Sequence, residues 1–211
     1  MKYYISDLHF FHEDMNKNMD RRGFDSVEAM NAYMIGQWNK KVKKNDETVI
    51  LGDFSFGKPA ETEEVLKALN GKKYMIIGNH DRFLTSKKFD TSLFKWIDHY
   101  HEIKDNKRNV ILSHYPIFCY KGQNYYDENG NAKTYMLYGH VHNTFDEILV
   151  NKFQNISRSM TRPEALKPEK VKISCQMINC FCMFSDYMPL SLDEWIELDA
   201  KRRAEMPDLS I

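Results

Sequence analysis

Five short apolar runs in this chain each stop abruptly and hand over to metal-capable polar side chains. They are Tyr3-Tyr4-Ile5-Ser6-Asp7-Leu8-His9, Val49-Ile50-Leu51-Gly52-Asp53, Met75-Ile76-Ile77-Gly78-Asn79-His80-Asp81, Val110-Ile111-Leu112-Ser113-His114 and Met136-Leu137-Tyr138-Gly139-His140-Val141-His142. Continuous apolar runs of this length are the pattern of strands buried on both faces, as in the parallel sheets of α/β proteins. Ligands bind in the crevice beyond the carboxyl ends of such strands. Any one cluster taken singly is ordinary turn chemistry, because Gly, Asn and Asp punctuate loops. Packing alone gives no reason to end strand after strand in a carboxylate or an imidazole, so the recurrence points to a site gathered at one sheet edge.

The segments between the runs supply helices. Asp25 followed by Glu28 has capping-box spacing, and Val27, Met30, Met34 and Trp38 then fall at helical intervals, which predicts an amphipathic helix with a core-facing stripe. The lysines at 40, 41, 43 and 44 suit its C-terminal end better than a nucleic-acid patch, since no aromatics interleave them. Pro59 opens a second helix through Val65, Leu66 and Leu69, closed by Asn70-Gly71. Strand, helix, strand units of this kind cross over right-handedly and build a mostly parallel sheet.

Later segments are less regular. Phe89, Leu93, Phe94 and Trp96 predict a helix covering the sheet between Arg82 and Asp98, and His99 and His101 read as strand histidines outside the site. The polar, aromatic-rich stretch from Tyr120 to Thr134 predicts a hairpin or lid beside the site, with Asp127-Glu128-Asn129-Gly130 as its turn. Tyr125 and Tyr126 are candidate substrate contacts there, and a loop in which tyrosines pack one another is the alternative. Pro163 and Pro168 interrupt a polar stretch from Asn151 to Lys172, which reads as an irregular insertion, either a loop or a short irregular helix. Strands are expected over 171–184, and a closing helix from Ser191 to Arg203 carries Leu192, Trp195, Ile196 and Asp199 at helical offsets.

Composition narrows the function classes. A chain of 211 residues is long enough for one well-filled core, so a single domain over 1–211 is expected. Its 30 basic and 30 acidic residues cancel, which removes a bulk electrostatic case for gripping nucleic acid or an anionic membrane. No run approaches the roughly 20 apolar residues of a membrane span. The N-terminus passes directly into the first strand without space for a cleavable signal, so a cytoplasmic location is expected. Four cysteines then read as reduced, and Cys180-x-Cys182 lacks the usual spacing of a zinc site.

Taken in order, Asp7-x-His9, Gly52-Asp53, Gly78-Asn79-His80-Asp81, His114 and Gly139-His140-x-His142 resemble the calcineurin-like metallophosphoesterase superfamily, in particular a small bacterial and phage branch. The resemblance covers the chain from Asp7 to His142, with a weaker match in Tyr187-Met188-Pro189-Leu190-Ser191-Leu192. It implies a two-sheet α/β sandwich flanked by helices, in four layers. It also implies two divalent metal ions, one held by Asp7, His9, Asp53 and His142, the other by Asp53, Asn79, His114 and His140. Carboxylate, amide and imidazole donors without thiolate suit manganese, iron, nickel or zinc. By the same resemblance His80 is a catalytic histidine facing the leaving group, and a metal-bridging hydroxide attacks phosphorus; Asp81 or another carboxylate is the candidate to orient His80.

The reading of function is therefore a metal-dependent phosphoesterase acting on a phosphodiester or a small phosphorylated metabolite. A nuclease of the same superfamily is disfavoured by the neutral charge. An inactive scaffold is disfavoured because every ligand position is filled. Gly52-Asp53-Phe54-Ser55-Phe56-Gly57 and the terminal Asp81 depart from the protein Ser/Thr phosphatase pattern. His12 is a further candidate, either a partly solvated loop histidine or a substrate contact. Phe11 and Asp14 stand where the small branch carries Gly and Asn, so His12 matches that motif only in part.

Overall fold

The computed structural model describes residues 1–163 and 170–205. One sheet runs β1 (Lys2–Ile5), β2 (Glu47–Leu51), β3 (Lys72–Ile76), β4 (Phe94–Asp98), with every neighbouring pair parallel. The other holds β5 (Tyr100–Asp105), β6 (Arg108–Ser113), β7 (Thr134–Tyr138) and β10 (Met177–Asn179), in the order β10-β7-β6-β5, and only the β5 to β6 pairing is antiparallel. A ribbon of β8 (Thr161–Pro163) and β9 (Lys170–Lys172) stands apart from both.

Apolar side chains on both faces of each sheet explain why the strands read as unbroken runs. Tyr4, Val49, Leu51 and Ile76 of the first sheet meet Val110, Leu112, Leu137 and Ile178 of the second in a buried layer between them. On the outer face of the first sheet, Tyr3, Ile5, Ile50 and Met75 pack with Met30, Met34, Trp38, Val65 and Leu66, which lie on α2 (Val27–Lys41) and α3 (Pro59–Ala68). On the outer face of the second, Ile111, Met136, Tyr138 and Met177 pack with Val150 of α4 (Phe145–Ser159). Each such side chain contributes about 1.5–3 kcal/mol when fully buried. The result is the helix, sheet, sheet, helix layering expected from the sequence.

The two sheets are stitched together at the β1 edge. The Ser6 amide donates to the Cys180 carbonyl (2.9 Å), the Cys182 amide donates to the Ser6 carbonyl (3.1 Å), and the Trp195 indole of α5 (Leu192–Glu205) donates to the Tyr4 carbonyl (2.9 Å). That seam carries the C-terminal end of β1 to the C-terminal end of β7. It therefore brings Asp7 to His140, whose amide donates to both Asp7 carboxylate oxygens at 3.0 and 3.2 Å.

Three expectations need correction. The helix expected before Asp98 is instead two short 3-10 turns, Arg82–Thr85 and Thr91–Leu93, followed by β4. Phe94 turns into the helix-facing core while Trp96 turns to Tyr74 and His101, an alternation with a period of two that a helical reading misses. The cap of α2 is Ser26, whose side chain accepts from the Ala29 amide (3.1 Å), not Asp25. Asn151 to Ser159, expected within an irregular insertion, lies in α4, while Pro168 is outside the described residues. The helix was hard to see because its inward face is polar: Gln154 accepts from the Met177 amide (2.9 Å), and Arg158 donates to the Cys175 carbonyl (2.7 Å). Phe145, Leu149 and Ile156 are exposed.

Candidate dinuclear metal centre

The backbone turns sharply at each strand end. Asp7, His9, Asp53, His140 and His142 all adopt positive φ, between 48° and 71°. Left-handed backbone costs a non-glycine residue about 1–2 kcal/mol, and such strain concentrates where a site demands a fixed geometry. The glycines that precede ligands serve close approach. A Cβ at Gly52 would lie 2.3 Å from His114 Nδ1, at Gly78 2.2 Å from Asp53 Oδ1, and at Gly139 2.5 Å from Asp7 Oδ2. Each glycine therefore makes room for a ligand delivered by a different strand.

Among the described residues, two groups of side chains converge as metal donors, Asp7 with His9 and His142, and Asp53 with His114 and His140. Within each, the ligand atoms lie within 4.8 Å of one another. One oxygen joins the groups, because Asp53 Oδ2 is 3.6 Å from His9 Nε2 and 3.5 Å from His114 Nε2. Asn79 completes the second group, its Oδ1 lying 3.0 Å from both His114 Nε2 and His140 Nδ1. In the first, His142 Nε2 stands 3.2 Å from His9 Nε2 and 3.6 Å from Asp7 Oδ1.

These contacts fit divalent cations. Two buried imidazole nitrogens facing each other at 3.2 Å must share a proton or a cation between them, since two bare lone pairs would repel. Protein groups alone already call for that charge. Burial opposes protonation of His142, yet its hydrogen bonds to Asp20 and Asp7, with their charges, push it up to about 9. Burial would also raise Asp7, but the His142 hydrogen bond and the charges of His142, His114 and His9 hold it below the usual carboxylate range. His9 goes the other way: burial outweighs the Asp7 charge and keeps it well below the ordinary histidine value. The thiol of Cys182 points at the Asp7 carbonyl (3.1 Å), and burial pushes it up to about 12, so it offers no thiolate. Oxygen and nitrogen donors remain, the set preferred by borderline divalent ions.

All seven sequence-predicted ligands are thus brought together. His80 adjoins them: its amide donates to Asp53 Oδ1 (2.8 Å), and its ring centroid lies 5.5 Å from that of His9. Its buried Nδ1 has no partner among the described residues. His12 is beside it, with its ring 5.6 Å from His9 and 4.2 Å from the half-exposed Phe56.

Other candidates are placed differently. Asp81 does not orient His80, because its carboxylate accepts from the amides of Asp53 (2.9 Å), Phe54 (2.7 Å) and Gly78 (2.7 Å). It ties the β2 loop to the β3 loop, and burial with the nearby Asp53 charge pushes it up to about 7 despite those amides. Tyr125 and Tyr126 do form a hairpin, with Tyr126 bridged to Ala132, but it lies at the wrong end of the sheet for a lid. The Lys133 amide donates to the Tyr125 carbonyl, and the Asn109 amide donates to the Lys133 carbonyl, where β6 and β7 begin. His114 and His140 lie where those strands end, on the order of 15 Å away at the rise of a parallel strand.

Three residues at the site carried no usable sequence signal. Asp20 accepts from His142 Nδ1 (2.8 Å), and the buried Arg22 donates to Asp20 and to the Asp7 and Leu8 carbonyls. Tyr115 sets its ring 4.5 Å from that of His140, with its hydroxyl 3.4 Å from Asn79 Oδ1.

Comparison with known proteins agrees with this geometry. The family model described as calcineurin-like phosphoesterase matches residues 3–173. The uncharacterized protein MJ1445 of Methanocaldococcus jannaschii is 31% identical over 202 residues, covering 94% of this chain and 91% of that protein. The Gene 66 protein of a Mycobacterium phage is 36% identical over 86 residues, 37% of this chain and 39% of that one. A crystal structure of a protein of unknown function, AQ665 from Aquifex aeolicus, superposes with a TM-score of 0.64 at 25% identity, covering 94% of this chain and 98% of that one. Shared architecture, two convergent donor groups and a family match across most of its length together establish that the chain belongs to the calcineurin-like phosphoesterase family.

Proposed function

We propose that this chain hydrolyses a phosphodiester or a small phosphorylated metabolite, using two divalent ions drawn from manganese, iron, nickel or zinc. Asp7, His9, Asp53 and His142 hold one ion, and Asp53, Asn79, His114 and His140 hold the other. The observation that carries this reading is the position of Asp53 Oδ2, between the His9 and His114 imidazoles at 3.6 and 3.5 Å. Bound there, two ions supply a lowered water pKa and neutralisation of charge on the phosphoryl oxygens.

The chain's own groups do the rest. The His80 amide is anchored to Asp53 Oδ1, which leaves its ring Nε2 free to meet a leaving-group oxygen and give it a proton. Phe56 and His12 flank that side and shape what the leaving group can be. Arg22 is committed to backbone carbonyls and Asp20 behind the ligands, so it is not offered to a phosphate dianion. This favours a singly charged diester over a monoester.

A screen of metal-stripped protein reconstituted with each of Mn²⁺, Fe²⁺, Ni²⁺ and Zn²⁺, against bis-aryl and mono-aryl phosphates, tests the reading. Turnover with at least one metal and faster turnover of the diester are expected. Two ions bound with no turnover of any ester would remove the hydrolase assignment, and faster monoester turnover would remove the diester preference.

A further inference from the structure

Asp20 and Arg22 stand in the loop between α1 (Glu13–Lys17) and α2, and nothing in the reaction calls directly for either. Their bonds are nonetheless specific to one half of the site. Asp20 Oδ1 accepts from His142 Nδ1 at 2.8 Å, which fixes the ring with its Nε2 toward Asp7 and His9. Asp20 Oδ2 accepts from Arg22 at 2.8 and 3.1 Å. That guanidinium in turn donates to the Asp7 carbonyl (2.9 Å) and the Leu8 carbonyl (2.6 Å), the two residues that enter the strained turn after β1. A single carboxylate therefore connects the β7 loop to the β1 loop from behind, and Arg22 balances its charge in a buried setting. Phe181, stacked on the His142 ring at 4.6 Å, closes the remaining side. Among the described residues the second group has no carboxylate counterpart: His114 Nδ1 meets the Leu51 carbonyl (2.8 Å), and His140 leans on the exposed Tyr115.

We infer that Asp20 is a positioning residue that selectively tightens the ion held by Asp7, His9 and His142, with Arg22 as its anchor to the β1 turn. The inference rests on the dinuclear reading above. A carboxylate on the distal nitrogen of a ligand histidine fixes its tautomer and raises its basicity, and losing one typically costs 10–100-fold in metal affinity. A purely structural ion pair would instead lower fold stability and leave the two ions equally affected.

The test is calorimetric titration of metal-stripped protein with Mn²⁺, together with the melting temperature of each metal-free variant. Wild type should bind two ions. Asp20→Ala should weaken one of them about 10–100-fold and leave the other within about twofold. The weakened ion should be the one abolished by His142→Ala and not the one abolished by His140→Ala. Asp20→Asn keeps an acceptor for Nδ1–H without the charge, so it should recover part of the loss, and it keeps the test open if the alanine variant fails to fold. Equal weakening of both ions, or two wild-type affinities in Asp20→Asn and Asp20→Ala alike, overturns the inference. Failure of wild type to bind a second ion would overturn the dinuclear reading as well, so the two failures are distinguishable.

Discussion

The two ligand groups share the Asp53 carboxylate but are held in different ways. Asp7, His9 and His142 are buried, and their strained turns are braced from behind by Arg22, Asp20 and the Phe181 ring. His114 is buried too, but its partner His140 is partly exposed and Asn79 and Tyr115 complete that side from a more open position. The contrast teaches that a bridging carboxylate does not make two sites equivalent. One is preorganised by charge behind its ligands, and the other opens toward solvent.

The largest expected effect erases the contrast. Asp53→Ala removes the shared oxygen, so both ions and nearly all activity should be lost; metal analysis that still finds two ions per chain would end the bridging role. Next, His80 belongs to neither group, so His80→Ala should keep both ions yet lose on the order of 10²–10⁴ in kcat. The defect should shrink for leaving groups that need no proton, such as nitrophenolate. A ratio that stays flat across leaving-group pKa would assign His80 to substrate positioning instead.

Glycine substitutions sharpen the comparison further. Gly139→Ala drives a Cβ to 2.5 Å from Asp7 Oδ2, whereas Gly52→Ala drives one to 2.3 Å from His114 Nδ1 and forces positive φ on an alanine. Each should weaken a different ion, by about 10–100-fold if the displaced ligand behaves like one deprived of its support. Titration showing the same ion weakened in both would contradict the division into two groups.

The smallest effect is a proton count. Burial and the His114 charge lower His140, while on protein groups alone His142 is raised to about 9, so the braced group holds a proton at neutral pH. Filling it at pH 7 should release about one proton and weaken roughly tenfold for each unit the pH falls below about 9. Calorimetry in buffers of different ionisation enthalpy measures this directly, and equal release from both ions would refute it. The sign for the metal-free fold follows from the raised value: the stabilisation is full below the ordinary 6.5 and is lost as pH rises through about 9.

Strand ends, the metal-capable side chains that converge there and layer order were legible before the structure, because each is written locally. An apolar run marks a buried strand, and the polar residue that stops it marks the sheet edge. The two early helices were legible for the same reason, since Met30, Met34 and Trp38 on one, and Val65 and Leu66 on the other, repeat at helical spacing. The region before Asp98 was misread because Phe94 and Trp96 suit either period over so short a stretch, and only pairing with β3 decides between them. α4 escaped notice because its inward contacts are hydrogen bonds rather than apolar packing.

What the sequence by itself determined, then, is which side chains leave the strand ends and what chemistry they can support. Only the tertiary structure decided what stands behind and around them. It set Asp81 against three backbone amides, moved Tyr125 and Tyr126 to the far edge of the sheet, and brought Asp20 across 122 positions to His142. The reason is physical: a strand terminus is encoded by neighbours a few residues away, whereas a supporting hydrogen bond depends on where a loop of irregular backbone comes to rest, and no periodicity in the chain records that.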